Sequence, residues 1–470
     1  MSFMGKGKPP VDQHTESLYA DRVRVYPKSV HGPVRRFKWA VLIFCLTLYY
    51  VLPWVRWNRG IGRSNQAVLL DIFHERFWFF NLEFWPQDIF YLTGLLIMGA
   101  VALFLVTSLF GRLWCGYACP QTVWTEIFVW MERLAEGSRS QQMKLDQGPW
   151  NARKIGRKFA KQALWLSFAG FTGMTFVGFF SPIDDLAVRL FAGTLTLTEG
   201  FWVIFYGLAT YGNAGFMREQ VCKYMCPYAR FQSAMFDRNT LVISYDAARG
   251  EPRGARSRGT DSRSLGQGDC IDCTLCVQVC PTGIDIRKGL QYECIACAAC
   301  IDACDAVMDK VGSPRGLVRY STQAELDGAK AHIVRPRTII YSVLLALLMW
   351  GFIYAVLHRM PVALDVLRDR NTLYRELDDG RIENVFSVRI INKDQRPHTF
   401  RLAASNLANA TVDSDSPTQQ VDAEDVKTVV VRVRVPPDQG HGGQDFLMTV
   451  QAVDRPQITA STRARFFSKP

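Results

Sequence analysis

Residues 270–281 read CIDCTLCVQVCP and residues 294–305 read CIACAACIDACD. Each run spaces four cysteines as Cys-x2-Cys-x2-Cys-x3-Cys. In this rhythm three thiolates wrap corners of an iron–sulfur cubane, and the fourth cysteine ligates the cluster of the other run. The spacing therefore assigns Cys270, Cys273, Cys276 and Cys304 to one 4Fe-4S cluster. It assigns Cys294, Cys297, Cys300 and Cys280 to a second. Zinc takes four ligands per site and does not need eight in this order. Disulfides are disfavoured in a reducing compartment. Pro281 closes the first run, whereas Asp305 stands in the corresponding place of the second. Proline shapes that turn without being a ligand, so both clusters are expected. Asp302, Asp305 and Asp309 are expected to lower the second cluster's potential. Residues 269–310 thus read as a bacterial ferredoxin-like α+β domain.

Outward from this domain, residues 246–268 are rich in Arg, Gly and Ser and read as a flexible linker. Five uncharged apolar runs follow the chain at 39–55, 89–110, 162–183, 200–217 and 338–357. Each has about the length, near 20 residues, that spans a bilayer as a helix. Trp39, Trp54, Trp57, Phe90, Trp165, Trp202 and Trp350 sit near their ends, as interfacial aromatics do. The expected architecture is a multidomain membrane protein with five transmembrane helices. Residues 1–38 form a tail, 39–236 a core with four spans, and 338–357 the fifth span. Residues 66–88 are aromatic but carry Asp71, Glu75, Arg76 and Glu83, which suggests an interfacial helix presenting His74 and Glu75.

Loop charge gives an orientation. Residues 1–38 carry eight Lys/Arg and three acids, residues 111–161 nine and four, and residues 218–337 seventeen and fourteen. The intervening segments 56–88 and 181–200 are neutral and acidic. The positive-inside rule places the basic segments, and both clusters, in the cytoplasm. The C-terminal segment then lies outside, in a bacterial periplasm. The net charge of +12 over 470 residues is thereby read as sidedness, and nucleic-acid binding is not expected.

Two further motifs lie at the inner ends of membrane runs: Cys115-x3-Cys119-Pro120 and Cys222-x3-Cys226-Pro227. Each has Tyr two residues after its first cysteine, Tyr117 and Tyr224. Residues 39–130 and 162–236 look like a tandem repeat, and such repeats build shared sites at their interface. Helical i, i+4 spacing would put two sulfurs of each copy on one face. Soft thiolates select Cu(I), zinc or Fe–S, and paired thiols can also cycle as dithiol and disulfide. Met225 reads as packing. Lys223 and Arg112 would depress thiol pKa or contact lipid headgroups. Cys45, alone in the first run, reads as a buried structural thiol.

From residue 362 the pattern becomes period two, as in 385–390 (VFSVRI) and 429–435 (VVVRVRV). Turn signals at Asp378-Asp379-Gly380, Pro436-Pro437 and Gln439-Gly440 punctuate it. Residues 362–470 therefore read as an all-β immunoglobulin-like sandwich. His398 and His441 read as solvated. No GxGxxG or Cys-x2-Cys-His motif is present, so neither nicotinamide, flavin nor covalent haem is supported.

WCGYACPQTVW, VCKYMCPYARFQ, the doubled ferredoxin run and the terminal sandwich together resemble the cytochrome c oxidase accessory protein family, called CcoG, FixG or RdxA. The resemblance covers nearly the whole chain. It implies a membrane-bound iron–sulfur protein that reduces Cu(II) to Cu(I) for assembly of cbb-type oxidase. It implies that the eight ferredoxin cysteines are ligands and that Cys115, Cys119, Cys222 and Cys226 are copper-contacting or redox thiols. Oxidase assembly factors or a copper transporter would be partners, the electron donor is open, and self-association is compatible. Two alternatives remain at this level: a quinol-oxidising polyferredoxin subunit, and a copper-binding scaffold without turnover.

Overall fold

Ile89–Phe110 and Pro336–Leu357 are helices of 22 residues, long and apolar enough to cross a membrane in the computed structural model. Pro33–Trp54 is a third. Here Pro33 opens the helix at its first position, where a missing N–H costs nothing. A 3-10 turn containing Pro53 ends it. The other two expected spans are less simple. Leu197–Met217 qualifies only together with Ile183–Ala192, from which it bends by 92°. Only 162–177 of the run 162–183 lies in a helix, Ala152–Val177, whose first turns carry Lys154, Lys158 and Lys161. Three or four helices therefore meet the length and composition of a span among the described residues. The structure is described for residues 24–59, 64–256, 265–369, 372–394, 396–436 and 442–468.

The chain forms two compact units. One comprises the residues up to Val55 with Val101–Ser342, and the other Arg56–Ala100 with Val343–Pro470.

In the first unit, the amphipathic helix Pro120–Glu136 packs Val123, Ile127 and Phe128 against Trp165 and Leu42. Its acids face other segments. Glu132 meets Arg218 at 2.8 Å and Arg24 at 2.7 Å, and Glu136 meets Lys161 at 2.8 Å. These carboxylates are buried, so removing one partner leaves an uncompensated charge. Strands β4 (Val242–Tyr245) and β5 (Val318–Ser321), numbered after the three strands described below, pair antiparallel and frame the cysteine-rich loops. Residues 246–268 are less linker-like than their composition suggests. Ala247–Gly250 is a helical turn, and Arg249 and Arg256 bind Asp269 and the Gly268 carbonyl. The central part of that stretch, 257–264, lies outside the described residues.

In the second unit, residues 66–88 are a sheet, not an interfacial helix. β1 (Val68–Asp71), β2 (Arg76–Phe79) and β3 (Leu82–Phe84) pair antiparallel. Glu75 and Phe80 take left-handed backbone conformations at φ 56° and 52°, which turn the chain between strands. Asp71 and Arg76 sit at strand ends and Glu75 at a turn, whereas Glu83 is buried in the middle of β3, where Arg76 lies 3.7 Å from it. His74 is held by Asp71, its Nδ1 2.7 Å from Oδ2. Asp88 takes Arg359 at 2.5 Å and Lys393 at 2.7 Å.

The sandwich has two sheets. In chain order its strands are β6 (Val362–Arg368), β7 (Arg375–Glu376), β8 (Ile382–Asn392), β9 (His398–Ser405), β10 (Thr411–Ser414), β11 (Gln419–Val421), β12 (Val426–Val435), β13 (Gly443–Ala452) and β14 (Thr459–Phe467). One sheet runs β10-β12-β8-β6 with β7 on β8, the other β11-β9-β13-β14. The period-two runs are β8 and β12, with Phe386 opposite Val431 and Val388 opposite Val429. Phe386, Phe400, Phe446 and Phe466 fill the core from both sheets. Each such side chain contributes about 1.5–3 kcal/mol by burial.

His398 is buried, contrary to the solvated reading. Nδ1 lies 2.6 Å from Asp454 and Nε2 3.0 Å from Asp394. Burial works against its charge, but the two carboxylates outweigh it and raise its pKa above 6.5. A raised folded-state pKa adds stability below the unfolded value and loses it as pH rises through the folded one. The sandwich is therefore expected to melt at lower temperature as pH climbs above about 6.5. Thermal melts of His398→Gln should show a flatter pH dependence. His441 lies outside the described residues.

Candidate redox centre

The two ferredoxin runs fold as matched loops. Asp272 and Thr274 flank Cys273 with φ 52° and 56°, and Ala296 and Ala298 flank Cys297 with φ 54° and 59°. Left-handed backbone at a non-glycine residue costs roughly 1–2 kcal/mol. Four such residues in register point to a bound group that repays the strain. Cys280, Cys294, Cys297 and Cys300 line one internal cavity, joined by Cys276. Cys304 lies within Coulombic range of Cys276, Cys270 and Cys273. The crossed ligand sets expected from spacing are thus brought together, and the chemistry of the donors fits two cubanes. Burial pushes the Cys294 and Cys304 thiols up to about 12, so loading the clusters must release protons.

The proline asymmetry has a structural consequence. After Cys276 the helix Leu275–Gln278 is a single turn, and Pro281 follows. After Cys300 the helix runs on as Ala299–Val311, with Cys304 and Asp305 in its interior. The three acids are also accounted for. Asp302 is buried and accepts the backbone N–H groups of Val34 at 3.3 Å and Arg35 at 2.7 Å. Asp305 accepts from Gly316 N–H and Asp309 pairs with Arg315. Their expected pull on the second cluster's potential is therefore weakened. Asp305→Pro should break the helix at a cost of about 3 kcal/mol and displace Cys304. Iron content and electron paramagnetic resonance (EPR) should then report loss of the Cys270/Cys273/Cys276/Cys304 cluster.

The Cys-x3-Cys-Pro copies are not continuous helices with both sulfurs on one face. Cys115 lies in a short helix, Leu113–Tyr117, and Cys119 is the N-cap of the next, Pro120–Glu136. Cys222 lies in a π-helical turn, Val221–Met225, and Cys226 is the N-cap of Pro227–Ala234. The motif's proline thus occupies the first helical position both times. Four residues before each first cysteine the chain turns left-handed, at Gly111 (φ 57°) and Arg218 (φ 44°). The copies also bind each other. Gln121 donates to the carbonyls of Asn213 and Arg218, and Arg112 to that of Ala229.

All four thiols lie within Coulombic range of one another. Burial pushes Cys115 up to about 12 and Cys222 up to about 11, against the pull of Arg112. Burial raises Cys119 too. Cys115 Sγ donates to Gln232 Oε1 at 3.1 Å, and the buried Gln232 donates to Thr107. Among the described residues, no three Cys, His, Asp or Glu side chains converge tightly enough for a single metal ion. Met225 and Tyr224 are exposed, so Met225 is not core packing. Cys45 is half-buried beside the Trp165 cluster.

Each copy touches a cluster-binding run, the first copy the 292–296 stretch and the second the residue after Cys280-Pro281. A Cβ on Gly116 would fall 2.6 Å from the Ala296 carbonyl oxygen and 2.7 Å from that of Ile295. Only glycine admits that approach. Lys223, in the second copy, donates to the Thr282 carbonyl at 3.0 Å, just after Cys280-Pro281. Arg112 reaches the carbonyls of Tyr292 and Cys294. Tyr320 donates to Ala296 O at 3.0 Å, with Tyr117 beside it at 3.4 Å. Gly116, Lys223 and Asp302 were not assigned these contacts from sequence. The only signal was glycine and lysine at equivalent places in two copies.

Comparison with known proteins identifies the domains. Residues 217–323 match a "4Fe-4S dicluster domain", residues 92–136 a "4Fe-4S binding domain", and residues 352–469 an "IG-like fold at C-terminal of FixG". RdxB of Cereibacter sphaeroides is 42% identical over 407 residues, covering 85% of each chain. The nitrogen fixation protein FixG of Rhizobium meliloti is 39% identical over 427 residues, covering 84% of this chain and 82% of its own. The chain belongs to the FixG/RdxA family. RdxA of C. sphaeroides is likewise 42% identical over 405 residues, 84% of this chain and 85% of its own. A solved FixG-related protein from Vibrio parahaemolyticus covers 23% of this chain and 96% of its own, at 23% identity and a TM-score of 0.21. This FixG-family chain is an iron–sulfur oxidoreductase of electron transfer, with helices long and apolar enough to cross a membrane and an immunoglobulin-like domain.

Proposed function

We propose that this protein reduces Cu(II) to Cu(I) at the Cys115, Cys119, Cys222 and Cys226 thiols, supplying copper for assembly of a cbb-type oxidase. The observation that carries the reading is the direct packing of both thiol segments on the Cys280/Cys294/Cys297 loops, through Gly116 and Lys223. Bound 4Fe-4S clusters supply single electrons, which is the stoichiometry of Cu(II) plus one electron giving Cu(I). The thiols offer soft ligands that favour the reduced ion. The ion loses coordination to harder donors and the thiols release protons as they bind it. Cys273 is exposed, which supports approach of a soluble donor to the other ligand set. The basic loops support a cytoplasmic position for this centre and a periplasmic one for the sandwich. A copper transporter or oxidase assembly factor would take the product.

The test is anaerobic mixing of the dithionite-reduced, desalted protein with Cu(II) and a Cu(I)-specific chelator. Chelated Cu(I) should form well above the rate of the buffer eluted beside the protein. Equal rates would sink the copper reading.

The match of residues 92–136 to a 4Fe-4S binding domain favours a second reading, because that stretch holds only Cys115 and Cys119. In it, the four thiols hold a third cluster. Iron content equal to three clusters would support it, and content equal to two would exclude it.

A further inference from the structure

The first membrane helix begins against the ligand helix of the clusters. Asp302 stands between the ligands Cys300 and Cys304 and holds the N–H groups of Val34 and Arg35. One helical turn on, Lys38 is buried at 3% exposure. Its Nζ lies 3.0 Å from Glu126 Oε2, while Arg35 donates to Oε1 of the same carboxylate. Arg133 lies 3.7 Å from that group as well. Three cations thus face Glu126, with Asp302 a second carboxylate near Arg35, in a poorly solvated place, and a positive surplus of one remains.

That surplus faces one cluster site. Cys297 has Lys38 as its leading charged neighbour, and Arg35 interacts with Cys297 in turn. Cys297, Lys38, Arg35 and Glu126 line a single cleft. The other site differs. Cys304 has Asp305 beside it, and the Arg287 near Cys276 is spent on Asp285 at 2.8 Å. A cluster held by four thiolates is anionic and becomes more so on reduction. Burial opposes that added charge, and nearby cations offset it, since net charge and solvent exposure set the potential.

We infer that Lys38 and Arg35 are charge-compensating residues for the Cys280/Cys294/Cys297/Cys300 cluster and raise its reduction potential selectively. The inference needs bound clusters but stands whether or not copper is the acceptor.

The experiment is an EPR-monitored potentiometric titration of the full chain, with wild type, Lys38→Met, Lys38→Arg and Glu126→Gln. Lys38→Met should lower the midpoint of one cluster by at least about 59 mV, a tenfold change in its one-electron equilibrium. Glu126→Gln should raise the same midpoint, and Lys38→Arg should stay near wild type. The shifted transition should be the one that persists in a Cys273→Ser background. The inference is overturned if neither midpoint moves, if both move together, if the shifted transition belongs to the Cys273 cluster, or if Lys38→Met and Glu126→Gln move it the same way. Should Glu126→Gln fail to fold, the contrast between Lys38→Met and Lys38→Arg decides alone. Copper turnover does not enter this readout, so a failed copper assay and a failed inference are separate results.

Discussion

Replacing Cys115, Cys119, Cys222 and Cys226 together by serine is expected to leave two clusters bound and to reduce Cu(I) formation by roughly 100-fold or more. Loss of even the outer partners of a metal ligand typically costs 10–100-fold, and here the soft donors themselves are removed. Serine keeps the shape of the side chain but offers a hard oxygen that does not favour Cu(I). The Cys119 and Cys226 positions are N-caps, where serine is well tolerated. The ligand loops have their own cysteines, so iron content and cluster EPR should match wild type. Cu(I) formation at the wild-type rate would remove these thiols from the reaction.

Gly116→Val should produce the largest effect of any single residue that is not a cysteine. The new Cβ would meet the carbonyl oxygens of Ala296 and Ile295 at 2.6 and 2.7 Å. Both obstacles are backbone, so no side-chain rotation relieves them. The thiol segment and the cluster loop must separate, at a cost of about 1–3 kcal/mol for overpacking. A displacement of about 1 Å can cost 10²-fold in rate. The expected result is an altered signal from the Cys280/Cys294/Cys297/Cys300 cluster and copper reduction lowered about 10²-fold. Gly99→Ala, where no atom lies within 4 Å of the added Cβ, should behave as wild type in both assays. Unchanged reduction in Gly116→Val would mean that this contact does not serve electron flow.

The ferredoxin runs are legible in sequence because their spacing encodes ligand geometry locally. The sandwich is legible because Phe386, Val388 and Ile390 alternate inward along one strand. What is not legible depends on distant partners. Asp302 looks like a charge beside a cluster until Val34 and Arg35, 268 and 267 residues away, are placed on it. The helix of the expected span 162–183 starts earlier, at Ala152, and its preceding turns carry Lys158 and Lys161, which pair with Glu136 and neighbouring acids outside that helix. Residues 66–88 carry aromatics and charges that suit a helix or a strand equally, and only the turns at Glu75 and Phe80 decide. The two thiol motifs show their pairing in sequence. Their packing on the cluster loops is hidden, because Gly116 and Lys223 achieve it by unlike means.

On the proposed mechanism, electrons reach the acceptor from clusters bound beside the four thiols. The most direct measurement is rapid-freeze EPR after mixing the reduced protein with limiting Cu(II). The Cu(II) signal and a matching amount of reduced-cluster signal should disappear together, one electron per copper. Loss of the Cu(II) signal with the clusters still reduced, or persistence of both signals, would contradict that mechanism.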